Sequence, residues 1–318
     1  MMRRAPLLLL LVLIAGLALG QQANAPIERS IPAPLAPKSL LTDVVPAGSA
    51  LVAVGDRGHI LISGDGGASW TQADVPTRSM LTGVAFTGRN DGCAVGLDAV
   101  IVRTTDGGKT WERVHWDPEA EAPLLDVIFL DRQRGIAVGA YGSYLTTGDG
   151  GATWTAGRVS EDADYHLNQI ARSATGKLYI AAEGGHAYRS DDDGATWIPL
   201  QTPYEGSLFG VLPLDGDSVL LFGLRGHILR SDDAGGTWTE IESPTQAMLN
   251  AGVRLADGRI VLVGLGGTVL VSADGGRTFA LREQERRAGF QAVAPAGSAL
   301  LLAGDTGVRL LPLAQLGK

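Results

Sequence analysis

Six copies of one eight-residue pattern, a repeat period of 41 to 43 residues, and short apolar runs punctuated by Gly, Asp and Pro predict an all-β chain: a seven-bladed β-propeller of four-stranded antiparallel blades. The pattern reads Ser/Thr-x-Asp-x-Gly-x-Ser/Thr-Trp/Phe, and its closing aromatic falls at Trp70, Trp111, Trp154, Trp197, Trp238 and Phe279. A period in the low forties fits a propeller or a helical solenoid. Local chemistry separates the two, because runs such as Leu51-Val52-Ala53-Val54 and Ile60-Leu61-Ile62 are short, lack helical spacing and end at turn residues.

A second turn lies eight and five positions before the first Ser/Thr of each pattern. It contains Gly55 and Gly58, Gly96 and Ala99, Gly139 and Gly142, Ala182 and Gly185, Gly223 and Gly226, and Gly264 and Gly267. Gly is expected there for positive φ. Each unit then reads as a four-stranded meander, with units at about 39–78, 79–120, 121–164, 165–203, 204–245 and 246–286. Phe290-Gln291-Ala292-Val293, Ala299-Leu300-Leu301-Leu302 and Val308-Arg309-Leu310-Leu311 supply three more strands without a seventh pattern. The last blade is therefore expected over 287–313 plus about 27–31, with the N-terminal strand closing the ring and removing exposed edges. Pro32, Pro34 and Pro37 read as a stiff connector.

The chain opens with Arg3-Arg4, an apolar run from Leu7 to Leu19, and Ala23-Asn24-Ala25, which predicts a cleaved signal peptide over 1–25 and general secretion. The run is too short to span a bilayer, no later stretch is long and uncharged enough to do so, and no Cys follows Ala25 to carry a lipid. A periplasmic monomer without a membrane span is expected, or a lumenal one if the source is photosynthetic. Removing Arg3 and Arg4 leaves 26 − 2 = 24 basic against 34 acidic residues, a net charge of −10, which argues against nucleic-acid partners. Cys93 is alone, so no intramolecular disulfide forms, and its strand-like context predicts a buried thiol.

The repeated pattern, in forms such as Thr104-Thr105-Asp106-Gly107-Gly108-Lys109-Thr110-Trp111, resembles the Asp box, or bacterial neuraminidase repeat. That resemblance implies a fold element on the hairpin between third and fourth strands. The chemistry agrees, since Asp in a tight turn accepts nearby N–H bonds and Ser/Thr adds a local one. Asp65, Asp106, Asp149, Asp192, Asp233 and Asp274, with the six aromatics, are thus expected to be structural. One carboxylate per turn falls well short of the roughly 6–8 oxygens of a calcium site.

More of each unit carries a likeness. Leu81-Thr82-Gly83-Val84-Ala85-Phe86, Asp91-Gly92-Cys93-Ala94-Val95-Gly96 and the following Asp box resemble a blade of the photosystem II stability and assembly factor family. Leu125-Asp126-Val127-Ile128-Phe129 and Arg134-Gly135-Ile136-Ala137-Val138-Gly139 repeat the likeness in the next unit. It implies a non-catalytic exported propeller that binds a membrane or envelope protein and assists its assembly or stability. A periplasmic scaffold for a transporter or cell-surface complex is the alternative.

The Gly turns and inter-blade connections should share the face opposite the Asp boxes, the expected partner face. Its variable residues include Arg57, Asp98, Tyr141 and Arg225. Two connections add His115-Trp116-Asp117-Pro118-Glu119 with Glu121, and Glu161-Asp162-Ala163-Asp164-Tyr165-His166. Trp116, Tyr165 and His166 are the aromatic candidates, with Trp116 expected as an exposed anchor; an ordinary acidic rim is the plain alternative. His59, His186 and His227 share one repeat position but lie in units too far apart to meet at a metal. Asp43, Asp126 and Gln169 share an inner-strand position and should line the central channel. No metal or cofactor is expected.

An Asp-box glycoside hydrolase is the enzymatic rival. A sialidase needs an arginine triad, and its usual Arg-Ile-Pro segment is missing; Ser30-Ile31-Pro32 is the nearest approach. Xyloglucanase-like enzymes place their cleft between two propellers, and one is read here. The pairs Glu119 with Glu121 and Asp162 with Asp164 remain open as carboxylate pairs.

Overall fold

A computed structural model describes residues 27–317 apart from 162, 163, 283 and 285. The expected signal peptide and Asp162 lie outside the described residues. Among the described residues seven antiparallel sheets follow in chain order, each a meander whose first strand lies innermost, against the first strands of both neighbouring blades. Blade 1 comprises Leu41–Ala47, Ala50–Gly55, Ile60–Ser63 and Thr71–Gln72. The next five span 81–115, 124–156, 167–200, 208–241 and 249–281, and the seventh has three strands, Phe290–Ala296, Ala299–Gly304 and Gly307–Pro312. Second strands such as Gly135–Gly139 and Ile260–Gly264 are buried along their whole length, because both faces of each sheet are covered by neighbouring blades.

The Asp-bearing turns repeat one network six times. In blade 3 the Thr153 N–H and hydroxyl donate to the two oxygens of Asp149 at 2.9 and 2.6 Å. The Thr147 hydroxyl donates to the same carboxylate at 2.8 Å and accepts from the Gly151 N–H at 3.0 Å. The same arrangement holds around Asp65, Asp106, Asp192, Asp233 and Asp274. Foremost through the Ser69, Thr153 and Thr196 hydroxyls, these bonds hold Asp65, Asp149 and Asp192 down at about 2. The carboxylates are thus engaged by their own turns.

The turn aims its aromatic at the preceding blade. Seven apolar clusters fill the seven inter-blade interfaces, and six hold one pattern aromatic each. Trp70 joins the blade 7/1 cluster, Trp111 the 1/2, Trp154 the 2/3, Trp197 the 3/4, Trp238 the 4/5 and Phe279 the 5/6. The 6/7 cluster has no such aromatic. Leu316, fully buried, packs there with Leu255, Val261, Phe290 and Leu311. Arg282 Nε donates to the Leu316 carbonyl at 2.6 Å and Arg259 Nη1 to the Gly317 carbonyl at 2.9 Å, pinning this segment in place.

Ring closure differs from the expectation. Residues 27–31 are not the outer strand of the last blade; they form no strand and run against blade 1 instead. The Ser30 N–H donates to the Val75 carbonyl at 2.8 Å, Arg29 pairs with Asp74, and the Ala33 N–H reaches the Gln72 side chain. Pro32 and Pro34 explain this, since they remove two of the donors that a paired strand would need. Closure is apolar: Ala33 and Ala36 join Leu41, Val44, Leu301 and Val308 in the 7/1 cluster.

Leu316→Ala should lower stability by about 2–4 kcal/mol in urea unfolding, as for other buried leucines. A loss under about 1 kcal/mol would show that the 6/7 interface does not depend on it.

Candidate functional site

The turns between second and third strands share a face with the inter-blade connections, as expected, but glycine acts there in two ways. Gly55 has φ 176°, ordinary extended backbone. It is required by close approach, since a methyl group there would fall 2.2 Å from the Leu40 carbonyl oxygen. Gly58, at φ 69°, is the left-handed position. This corrects the expectation that both glycines supply positive φ.

The residue between them is also left-handed in the first six blades. Arg57, Asp98, Tyr141 and Arg225 have φ of 54°, 59°, 52° and 56°, where blades 4 and 6 place Gly184 and Gly266. Four blades thus carry an exposed side chain in a conformation that glycine adopts without strain. Tyr141 is 60% exposed, and the Arg57 side chain extends into solvent beside Asp56. Asp98 accepts the Ser79 hydroxyl at 2.6 Å.

Of the candidates, Tyr141, Tyr165 and His166 gather over blades 3 and 4, next to a further ring pair over blade 5. Tyr141 meets His166 edge-on at 5.0 Å, Tyr165 stacks on His186 at 3.8 Å, and Tyr204 stacks on His227 at 4.0 Å. His186 and His227 therefore pack on the connections entering their own blades, and buried His59 contacts the Ser39 hydroxyl. Among the described residues no three metal-ligating side chains converge. Beside Tyr141 a cavity of about 530 Å³ is lined by His115, Asp117, Arg158, Glu161 and Asp164. Trp116 is not the exposed anchor expected. It is half-buried against the blade 1/2 cluster, with the Arg113 guanidinium 4.6 Å above its ring. Glu119 and Glu121 are exposed, and Asp117 caps the short turn before Glu121.

The channel residues hold blades together. Asp43 accepts the Val44 and Val84 N–H groups at 2.7 and 2.9 Å, and Asp126 accepts Val127 and Ile170 at 2.8 and 2.9 Å. In each case the second donor belongs to another blade. Gln169 accepts the Val211 N–H at 2.8 Å, and Thr42, Thr82, Asn168 and Asn250 donate to the carbonyls of Leu81, Leu124, Leu208 and Phe290 in the next blade. Burial pushes Asp43 up to about 6 and Asp126 up to about 8, the latter helped by the Asp43 charge. A raised carboxyl beside a cavity of about 510 Å³ has the look of an acid catalyst. All four oxygens, however, are committed to backbone N–H groups.

Sequence reasoning passed over the Thr and Asn ties, although Thr42, Thr82, Asn168 and Asn250 recur at one repeat position. It also passed over Arg103, Arg189 and Arg230, which stand just before the first Ser/Thr of three boxes. Each donates to a backbone carbonyl in the Asp-bearing turn of the next blade: Gly150, Ala234 and Gly275.

The sequence profile of the family described as Photosynthesis system II assembly factor YCF48 matches residues 65–122 and 115–278. The chain is 41% identical over 61 residues to Photosystem II stability/assembly factor HCF136, chloroplastic, of Cyanidioschyzon merolae, covering 18% of this chain and 14% of that relative's length. Among solved structures it resembles YCF48 bound to D1 peptide, with TM-score 0.71, 21% identity and coverage of 91% of this chain and 97% of that one. YCF48 from Cyanidioschyzon merolae aligns with TM-score 0.72 and 19% identity, over 90% of this chain and 98% of that one. A xyloglucanase from Xanthomonas campestris shares the fold at TM-score 0.65 and 14% identity; 85% of this chain covers 51% of that one.

Two measurements follow from this geometry. Tyr141→Gly and Arg225→Gly should leave stability unchanged or raise it by up to about 1 kcal/mol, since relief of left-handed strain outweighs the entropy of an added glycine. A clear loss in urea titration would mean that these side chains support the fold. Asp43 and Asp126 hold protons in the folded state up to about 6 and 8, whereas an unfolded aspartate releases its proton near 4. Their linkage lowers stability as pH rises from about 4 to about 8, so thermal midpoints should fall across that range and Asp126→Asn should flatten the slope. A wild-type profile flat from pH 5 to 8 would show both carboxyls ionised in the fold.

Proposed function

Because this chain belongs to the photosynthesis system II assembly factor YCF48 family, we propose that it is a non-catalytic exported propeller that binds a membrane or envelope protein through its loop face and assists that protein's assembly or stability. The observation that carries this reading is the set of strained, exposed side chains at one repeat position. Arg57, Asp98, Tyr141 and Arg225 stand where glycine is conformationally cheaper. A turn needed only to connect strands has no use for Tyr141 there, whereas an exposed aromatic beside the cavity lined by His115 and Arg158 suits a protein partner.

The solved relative named as bound to D1 peptide supports a membrane-protein partner for this chain as well. Among the described residues no helix is long and apolar enough to cross a membrane. Export to the periplasm, or to the thylakoid lumen in a photosynthetic source, follows from the expected signal peptide. His166 and Tyr165 extend the binding surface across blades 3 and 4, and Trp116 shapes its blade 2 flank from beneath Arg113.

Affinity capture of the mature protein from its native envelope in mild detergent tests the reading. A specific membrane complex should be recovered with the wild type and lost with Tyr141→Ala plus Arg225→Ala, while the thermal midpoint stays within a few degrees. Equal recovery by the variant would move the partner off this face, and glycoside cleavage without any captured complex would overturn the assembly role.

A further inference from the structure

Blade 7 differs from its neighbours at its outer edge. Blades 1 to 6 each close with a short fourth strand, from the two residues Thr71–Gln72 to the four residues Glu112–His115. In blade 1 that strand is held by the Ile62–Thr71 pair and by the Ala73 N–H donating to the Ile60 carbonyl at 2.9 Å. The register Val54–Ile60 and Val52–Ile62 corresponds in blade 7 to Ala303–Val308 and Leu301–Leu310. The outward backbone groups of the last sheet therefore belong to Val308 and Leu310. Among the described residues no strand pairs with them.

The side chains along this edge are unusual too. Arg309 lies in the register that Leu61, Val102, Leu145, Tyr188, Leu229 and Leu270 hold in the other blades. It forms no ion pair among the described residues, and the adjacent Leu310 is 40% exposed. The Ala36–Lys38 turn lies against the Gly307 end of this strand, while the Leu310 end is an unpaired edge beside an exposed apolar side chain; evolved sheets cover such edges or guard them with charge.

We propose that the Gly307–Pro312 strand is a β-augmentation site that accepts an extended segment of a partner protein in which apolar and acidic residues alternate. Two to four residues complete the blade, the length of the fourth strands elsewhere in the ring. The incoming backbone bonds Val308 and Leu310, its apolar side chains lie on the Leu310 face, and its carboxylates meet Arg309 across the strands. A second copy of this chain fits poorly, because antiparallel self-pairing brings two Arg309 side chains onto neighbouring positions. The site is separate from the loop face and does not depend on the role proposed for it.

The probe is a short capped peptide of alternating valine and glutamate, with a valine–lysine peptide as counterpart, titrated into the mature full-length protein. The glutamate peptide should bind saturably and slow amide exchange at Val308 and Leu310. Arg309→Glu should weaken it by about tenfold and bind the lysine peptide instead. Leu310→Pro, which removes an outward N–H and no bond within the sheet, should abolish binding, and Tyr141→Ala should leave it unchanged. Four outcomes overturn the proposal: neither peptide binds, the two amides are already protected in the free protein, Tyr141→Ala weakens binding as much as Arg309→Glu, or Arg309→Leu dimerises while no peptide binds. The last would make Arg309 a guard against self-pairing.

Discussion

The structure depends on the apolar contact between each blade and the one before it. A four-stranded sheet of this size buries little within itself, so its stability comes from having both faces covered. The Asp box serves that contact. Its carboxylate fixes a turn, and the turn directs an aromatic into the neighbouring interface. The polar network is local while the burial it directs is not, which is why six carboxylates at the rim matter to a core they do not enter.

Periodicity made the fold legible. The spacing from Trp70 to Phe279 set the number and register of six blades, and the Gly pairs placed the second hairpin in each. The closure was not legible, because it repeats nothing. Leu316 takes an aromatic's place without belonging to any pattern, and the segment from Ile27 to Pro37 is diverted by its prolines toward Gln72 and Asp74. The candidate face was half legible. A repeat alignment shows which residue occupies the apex of each turn, but the left-handed backbone at Tyr141 and Arg225 appears only in three dimensions. Trp116 misled for a related reason: lying outside the repeat pattern does not put a ring in solvent, and Arg113 covers it.

Two kinds of polar residue divide the protein. Those facing the axis, such as Asp43, Thr82 and Asn168, bond the backbone of a neighbouring blade and have little capacity left for a ligand. Those at the apices of the loop face, such as Arg57 and Tyr141, extend into solvent and occupy strained positions. The residues that tie blade to blade and the exposed residues of the loop apices are thus different sets, and the apices can vary while the ring keeps its architecture.

The seventh interface also imposes an order of events on the nascent chain. Leu41 and Leu301 share one cluster although 301 − 41 = 260 positions separate them. Synthesis from the amino end delivers blade 1 long before blade 7. Its flank, with Leu41, Val44 and Leu61, then waits uncovered while five blades emerge. Contacts this distant in sequence are slow to form, so the closing seam is the point at which a folding chain is most exposed to misassociation.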